Sequence, residues 1–165
     1  DQTYGALPTP TKKGYTFDGW FTAKDGGTEV KSTTPVKTAN NHTIYAQWTA
    51  KTGTLVFNPG DGSCSTKNKS VVYDQPYNEL PTASKTGYTF LGWFTKEVGG
   101  EMVDSTTISK VENSQTLYAH YRINQYEVTV EDYTEDNILL GTSTYMADYN
   151  STAKGSAKGS DAMIG

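Results

Sequence analysis

The chain has 165 residues, a net charge of −4, 35% hydrophobic content, sixteen Gly and an aromatic set of twelve Tyr, five Phe and three Trp. A single Cys excludes an internal disulfide, no stretch approaches the length of an apolar spanning helix, and no basic stripe suits nucleic acid. The rings must therefore supply much of the core, while the Gly, Thr and Ser surplus favours strands and turns over helices.

In chain order, the first strong signal is Gly14-Tyr15-Thr16-Phe17 followed by Gly19-Trp20-Phe21-Thr22. Simple alternation puts Tyr15, Phe17 and Phe21 on one strand face and Thr16, Asp18 and Trp20 on the other. Gly26-Gly27 marks a turn, and Thr43-Ile44-Tyr45-Ala46 opens a closing strand with Ile44, Ala46 and Trp48 on one face. The link Thr49 to Gly53 is short enough to restrict hinge motion, with Gly53 leaving some freedom.

All of this returns. Residues 1–48 align without a gap on residues 74–121 at an offset of 73 (87 − 14), and roughly half the positions are identical. Such a self-match marks a tandem array. Gly87, Tyr88, Phe90, Gly92, Trp93 and Tyr118 repeat Gly14, Tyr15, Phe17, Gly19, Trp20 and Tyr45.

The second copy also has what the first lacks. Thr54-Leu55-Val56-Phe57 reads as a strand, ended by Asn58-Pro59-Gly60-Asp61-Gly62. Ser70-Val71-Val72-Tyr73 is its expected hairpin partner. An extended link over Leu80 to Lys85 leads to the Tyr88–Phe94 strand, where Gly92 suggests a bulge. Gly99-Gly100 turns the chain into a short Met102-Val103 strand. Leu117, Ala119 and Tyr121 share a face of the closing strand.

The tail begins again. Tyr126-Glu127-Val128-Thr129-Val130 alternates strictly, Asn137 to Ser143 can form a second strand, and Tyr145 and Tyr149 keep the spacing of Tyr73 and Tyr77. Residues 124–165 hold seven acids against two bases, a balance of −5, leaving twelve bases and eleven acids for residues 1–123. The expected units are 1–50, lacking leading strands; 51–123, complete; and 124–165, a truncated third. Two explanations fit: a piece cut from a longer array, or head-to-tail assembly in which tail strands (Tyr126, Val128, Val130, Ile138, Leu140) complete the first unit of another copy.

The run from Leu80-Pro81-Thr82 through Gly87 to Thr95, with Gly99-Gly100 and Thr116 to Tyr121, closely resembles the Listeria–Bacteroides repeat, also known as the internalin B-repeat. Leu7-Pro8-Thr9, Gly14 to Thr22, Gly26-Gly27 and Thr43 to Trp48 carry the same pattern, so the resemblance covers about residues 1–122. The tail resembles more weakly the opening of a mucin-binding-protein-type repeat. The resemblance implies β-rich modules of the β-grasp or ubiquitin-like (α+β) kind, with little or no helix. It further implies a secreted or surface-anchored prokaryotic protein in which repeats act as stalk, spacer or adhesive surface. It brings no shared catalytic residues, and its motif positions are structural.

The chemistry is sparse. His42 aligns with Gln115 and His120 with Gln47, so neither His belongs to a repeated constellation, and Cys64 has no His near it in sequence. Two His and one Cys give no zinc spacing. The run Glu131 to Asn137 could offer oxygens to Ca²⁺ but lacks the Gly and terminal Glu of a known loop, which favours a solvated acidic turn. The sequons at Asn41, Asn68 and Asn150 are expected by chance in so Asn-, Ser- and Thr-rich a chain. The Phe residues, Trp20 and Trp93 are expected in the core, with Tyr4, Tyr77 and Tyr149 partly exposed. The expectation is a non-enzymatic extracellular array without cofactor or membrane insertion, whose partners are neighbouring repeats or copies of itself. The alternative is a module binding a glycan or host surface protein through its Tyr side chains.

Overall fold

The structure, a computed structural model, describes residues 2–152. It contains no helix among the described residues, and its ten strands form three sheets. The β-rich tandem organisation expected from the sequence is what the chain adopts.

Residues 52–123 form the fullest unit. Its strands are β4 (Thr52–Asn58), β5 (Asn68–Val72), β6 (Tyr88–Phe94), β7 (Met102–Val103) and β8 (Ser114–Ile123), in the order β5-β4-β8-β6-β7. The first and last strands, β4 and β8, lie side by side and parallel, while every other pairing is antiparallel. Counted within the unit, this is the order 2-1-5-3-4 of a β-grasp sheet. Where such a fold would carry a helix, this chain has the irregular crossover 73–87, whose Pro76 and Pro81 cannot donate to a regular ladder.

One face of that sheet carries the core. Leu55 and Phe57 of β4, Trp93 of β6 and Leu117 of β8 are all at most 3% exposed, and Val71 of β5 joins them. The crossover and the segment before β8 cover the face by hydrogen-bonding to each other: Asp74 N to Ser109 O, Ser109 N to Gln75 O, Tyr77 N to Thr107 O and Asn78 N to Ser105 O. Their inward side chains, Tyr77, Ala83 and Val111, close the cluster. Tyr77, expected to be partly exposed, is buried at 3%, because the crossover is the lid of the core and not a surface loop.

The first unit repeats half of this arrangement. β1 (Tyr15–Phe21), β2 (Glu29–Val30) and β3 (Tyr45–Ala50) pair as β2-β1-β3, matching β7-β6-β8. The covering segments match too: Tyr4 N to Thr34 O, Gly5 N to Ser32 O and Val36 N to Gln2 O sit at the homologous positions. Both units anchor their Trp in one way, Trp20 Nε1 donating to Pro8 O at 2.8 Å and Trp93 Nε1 to Pro81 O at 2.6 Å.

The simple alternation expected along β1 is wrong. A bulge at Gly19 (φ 140°), repeated at Gly92 (φ 142°), shifts the register between Phe17 and Gly19. Phe17 then pairs with Trp48 and Trp20 with Ala46, so Trp20 joins Tyr15 and Phe17 on the inner face and Phe21 turns outward. The Phe17 and Trp20 rings meet edge to face at 5.8 Å. The extra residue reverses the alternation after it.

The tail forms a separate hairpin, β9 (Gln125–Tyr133) with β10 (Leu139–Asp148). The second strand starts later and runs further than the segment 137–143 suggested. Residues 153–165 of the expected third unit lie outside the described ones.

Candidate functional site

The ring-bearing motif residues divide by face. Inward, Phe90 and Trp93 meet at 5.5 Å and Phe57 closes on Trp93 at 4.8 Å. In unit one, Phe17, Trp20 and Trp48 form the corresponding cluster, with Phe17 and Trp48 at 5.3 Å. Among the described residues no counterpart of Phe57 or Leu55 lies over them, and all ten buried core residues of the main cluster lie in the second unit. Among the described residues of unit one, Val30 is the one buried apolar side chain. Its ring cluster is half-buried, and among the described residues β3 has an unpaired edge where β8 receives β4.

Outward, the two units differ in chemistry. Phe94 and His120 stack in parallel at 3.9 Å and 7°, with His120 Nε2 donating to Lys96 O. Leu91, Val98 and Met102 beside them are 49%, 88% and 59% exposed. Asp18, Asp25 and Glu29 stand at the equivalent positions of unit one, and Gln47 replaces His120, bonding Ala23 O and Gly26 O. Tyr45 and Tyr118, the last pair of motif rings, are half-buried in the closing strands on these outer faces.

Between the units lies a polar junction. Lys51 alone separates β3 from β4, and its N–H donates to Gly14 O at 2.9 Å. Tyr73 lies over Gly14 so closely that a Cβ there would fall within its ring, and φ of 79° adds a second reason for Gly. Tyr15 donates to Asp74 Oδ2 at 2.9 Å, and Lys110 pairs with Asp74 Oδ1. The Lys110 and Tyr15 hydrogen bonds hold the Asp74 carboxyl below the usual carboxylate range, and the bond to Asp74 raises the Tyr15 phenol above its own. Gly53, expected to leave hinge freedom, is instead fixed: a Cβ there would meet Val111 O at 2.6 Å.

The candidates for chemistry are scattered. His42 hydrogen-bonds with Tyr4 Oη at 2.5 Å, and His120 with Lys96 O. Cys64 is buried and bonds Thr66 O. In the acidic run, Tyr133 donates to Glu131 and Asn137 adopts φ of 60° in the turn between β9 and β10. No three His, Cys, Asp or Glu side chains converge among the described residues. A groove of about 670 Å³ near the second junction is lined by Thr89, Arg122, Ile123, Asn124, Gln125 and Tyr126, of which only Arg122 is ionised. The suggested assembly residues separate as well. Val128 and Val130 turn to the half-buried face of β9, whereas Tyr126 and Leu140 are 50% and 61% exposed and Ile138, at 61%, precedes β10.

Comparison with known proteins bears first on the repeats. Residues 1–47 and 54–120 match the Listeria-Bacteroides repeat domain. The chain is 39% identical over 115 residues to internalin H of Listeria monocytogenes, covering 70% of this chain and 20% of that protein. Two Evansella cellulosilytica proteins described as membrane proteins, one of them Gly-rich, are each 33% identical over 73% and 75% of this chain. The chain spans a fifth or less of the length of these relatives. No helix among the described residues is long and apolar enough to cross a membrane.

Proposed function

Since the chain belongs to the Listeria–Bacteroides repeat family, we propose that it is a spacer or adhesive segment of a bacterial surface protein, with no catalytic role. The observation that carries this reading is the rigid succession of units: a one-residue connection at Lys51, a filled contact at Gly14 and a packed Gly53. Such a join transmits orientation from one unit to the next, as repeat arrays do when each unit contacts its neighbours. Small-angle scattering of the chain tests it. A single extended profile with a narrow range of lengths is expected, and a broad range of inter-unit angles would overturn it. Labelling of intact cells that carry the parent protein, with antibody raised to residues 51–123, tests the location.

Within this reading, copies of the chain assemble head to tail. The edges of β3 and β9, unpaired among the described residues, are the two halves of a pairing that β4 and β8 make in the complete unit. Light scattering over a concentration series decides it: growing mass supports assembly, and a constant mass near 18.0 kDa removes it.

A binding role is favoured by a different observation, the Phe94–His120 stack with exposed Leu91 and Met102 around it. The ligand would be a glycan or an apolar-edged host surface protein, and a glycan array probed with the chain and with Phe94→Ala separates this role from a spacer's.

A further inference from the structure

We infer that residues 124–150 are the opening hairpin of a third repeat of the same family, locked to the second by Tyr149 seated in a socket at Gly87. The family match ends at residue 120, and the assignment rests on geometry.

A set of contacts at the join between units one and two recurs at the next one. Lys51 N donates to Gly14 O at 2.9 Å, and Asn124 N to Gly87 O at 2.9 Å. Tyr73 N donates to Lys51 O at 2.9 Å, and Tyr149 N to Asn124 O at 2.8 Å. The Tyr73 ring fills the space over Gly14, and Tyr149 fills that over Gly87, whose φ of 77° matches 79° at Gly14. Edge-to-face contacts follow, Tyr15 with Tyr73 at 5.8 Å and 71°, and Tyr88 with Tyr149 at 6.4 Å and 70°. The chain then turns in one manner: Asp74 has φ of 62° and Asn150 of 58°, with Gln75 N donating to Val72 O and Ser151 N to Asp148 O. Lys12 over Tyr15 and Lys85 over Tyr88, at 3.7 and 4.3 Å, floor the two sockets alike.

The offset shows why sequence hides this. Lys51 and Asn124 are 73 apart, but Tyr73 and Tyr149 are 76 apart, so the tail hairpin holds three more residues than the β4–β5 hairpin. The four-residue spacing of Tyr145 and Tyr149 suggests Tyr145 for the place of Tyr73; the hydrogen-bonded register gives that place to Tyr149. On this register Val128 and Val130 stand where Leu55 and Phe57 stand, and Ala147 where Val71 does. These recurring contacts hold whether or not the chain works as a surface spacer. Their partner is specific in chemistry: a hairpin whose second strand is followed at once by Tyr and then by a residue able to take positive φ.

Residue-resolved hydrogen exchange on the full chain tests the socket. Tyr149→Ser should speed exchange of the Asn124 and residue-149 amides roughly tenfold or more, leaving Phe57 and Trp93 amides protected. Tyr149→Phe should retain protection within about twofold, because the ring and not the hydroxyl fills the socket. Tyr73→Ser should do to Lys51 what Tyr149→Ser does to Asn124. Unchanged exchange at Asn124 in Tyr149→Ser, or equal loss in Tyr149→Phe, overturns the assignment. So does an effect of Tyr73→Ser on the first join with none of Tyr149→Ser on the second.

Discussion

Units one and two share roughly half their aligned residues, the same bulge, the same Trp anchor and the same covering ladder, yet only one of them has a closed core. The difference teaches what the repeat motif is for. Gly-Tyr-Thr-Phe and Gly-Trp-Phe shape a three-stranded sheet and its lid, and they do so in both units. Burial comes from the strands outside the motif. Leu55, Phe57 and Val71 of the β4–β5 hairpin occupy the inner face that unit one leaves half covered. A motif can therefore be a scaffold for a core it does not contain.

The largest expected effect tests that division directly. Trp93→Ala should cost about 3–5 kcal/mol, the usual range for emptying a buried aromatic site. Trp20→Ala, at the homologous position with no Phe57 above it, should cost less than half as much. Denaturation followed by residue-resolved probes in each unit reads both; equal costs would break the comparison. Next comes Phe57→Ala, also about 3–5 kcal/mol and confined to the second unit, with unit-one probes unmoved. A parallel loss in unit one would mean that the two sheets fold as one cooperative body.

Gly53→Ala should destabilise by about 1–3 kcal/mol, since Val111 O leaves no room for a methyl group. Tyr126 stands at the homologous place in the tail, half exposed, so truncating it to Ala should change thermal stability little. A tolerated Gly53→Ala would restore the hinge that the sequence alone suggested.

The smallest effect is electrostatic and separates the two joins. Asp74 titrates below its ordinary value in the folded chain, so its contribution is present above the unfolded value of 3.8 and is lost as pH falls through the lower folded one. Tyr15 is raised, so its share is present below 10.0 and is lost as pH rises through the higher folded value. Protection of the Lys51 amide, taken relative to its intrinsic exchange rate at each pH, should therefore be high across the middle range and fall at both ends. Asn150 takes the place of Asp74 at the second join, and exchange at Asn124 should lack the acid limb. An acid limb of equal size at both would assign the effect to general unfolding.

Much of this was legible in the residues. The offset of 73, the strand at Tyr88–Phe94, the bulge at Gly92 and the inward face of Leu117, Ala119 and Tyr121 follow from periodicity and turn chemistry. What escaped was set by single insertions and by tertiary cover. One bulge residue moved Trp20 to the other face, a consequence that simple alternation from Tyr15 could not include. Three extra residues in the tail hairpin moved the homologue of Tyr73 from Tyr145 to Tyr149. Tyr77 looked like a surface side chain because its neighbours are polar, but those neighbours form a lid whose underside is the core. The contrast between Leu91, Val98, Met102 and Asp18, Asp25, Glu29 was written in the alignment, and only the outward placement of these residues gives it meaning.

The parallel pairing of β4 with β8 sets how the complete unit would bear tension. Both strands run in one direction, so the chain enters at one end of the sheet and leaves at the other. Pulling on the two ends of the unit would slide β4 against β8 along their length. The hydrogen bonds of that ladder lie across the pull and would be loaded together, where an antiparallel terminal pair would open one bond at a time. A unit of this build should yield late and all at once when stretched, a useful property in a tether anchored at one end and held by something at the other.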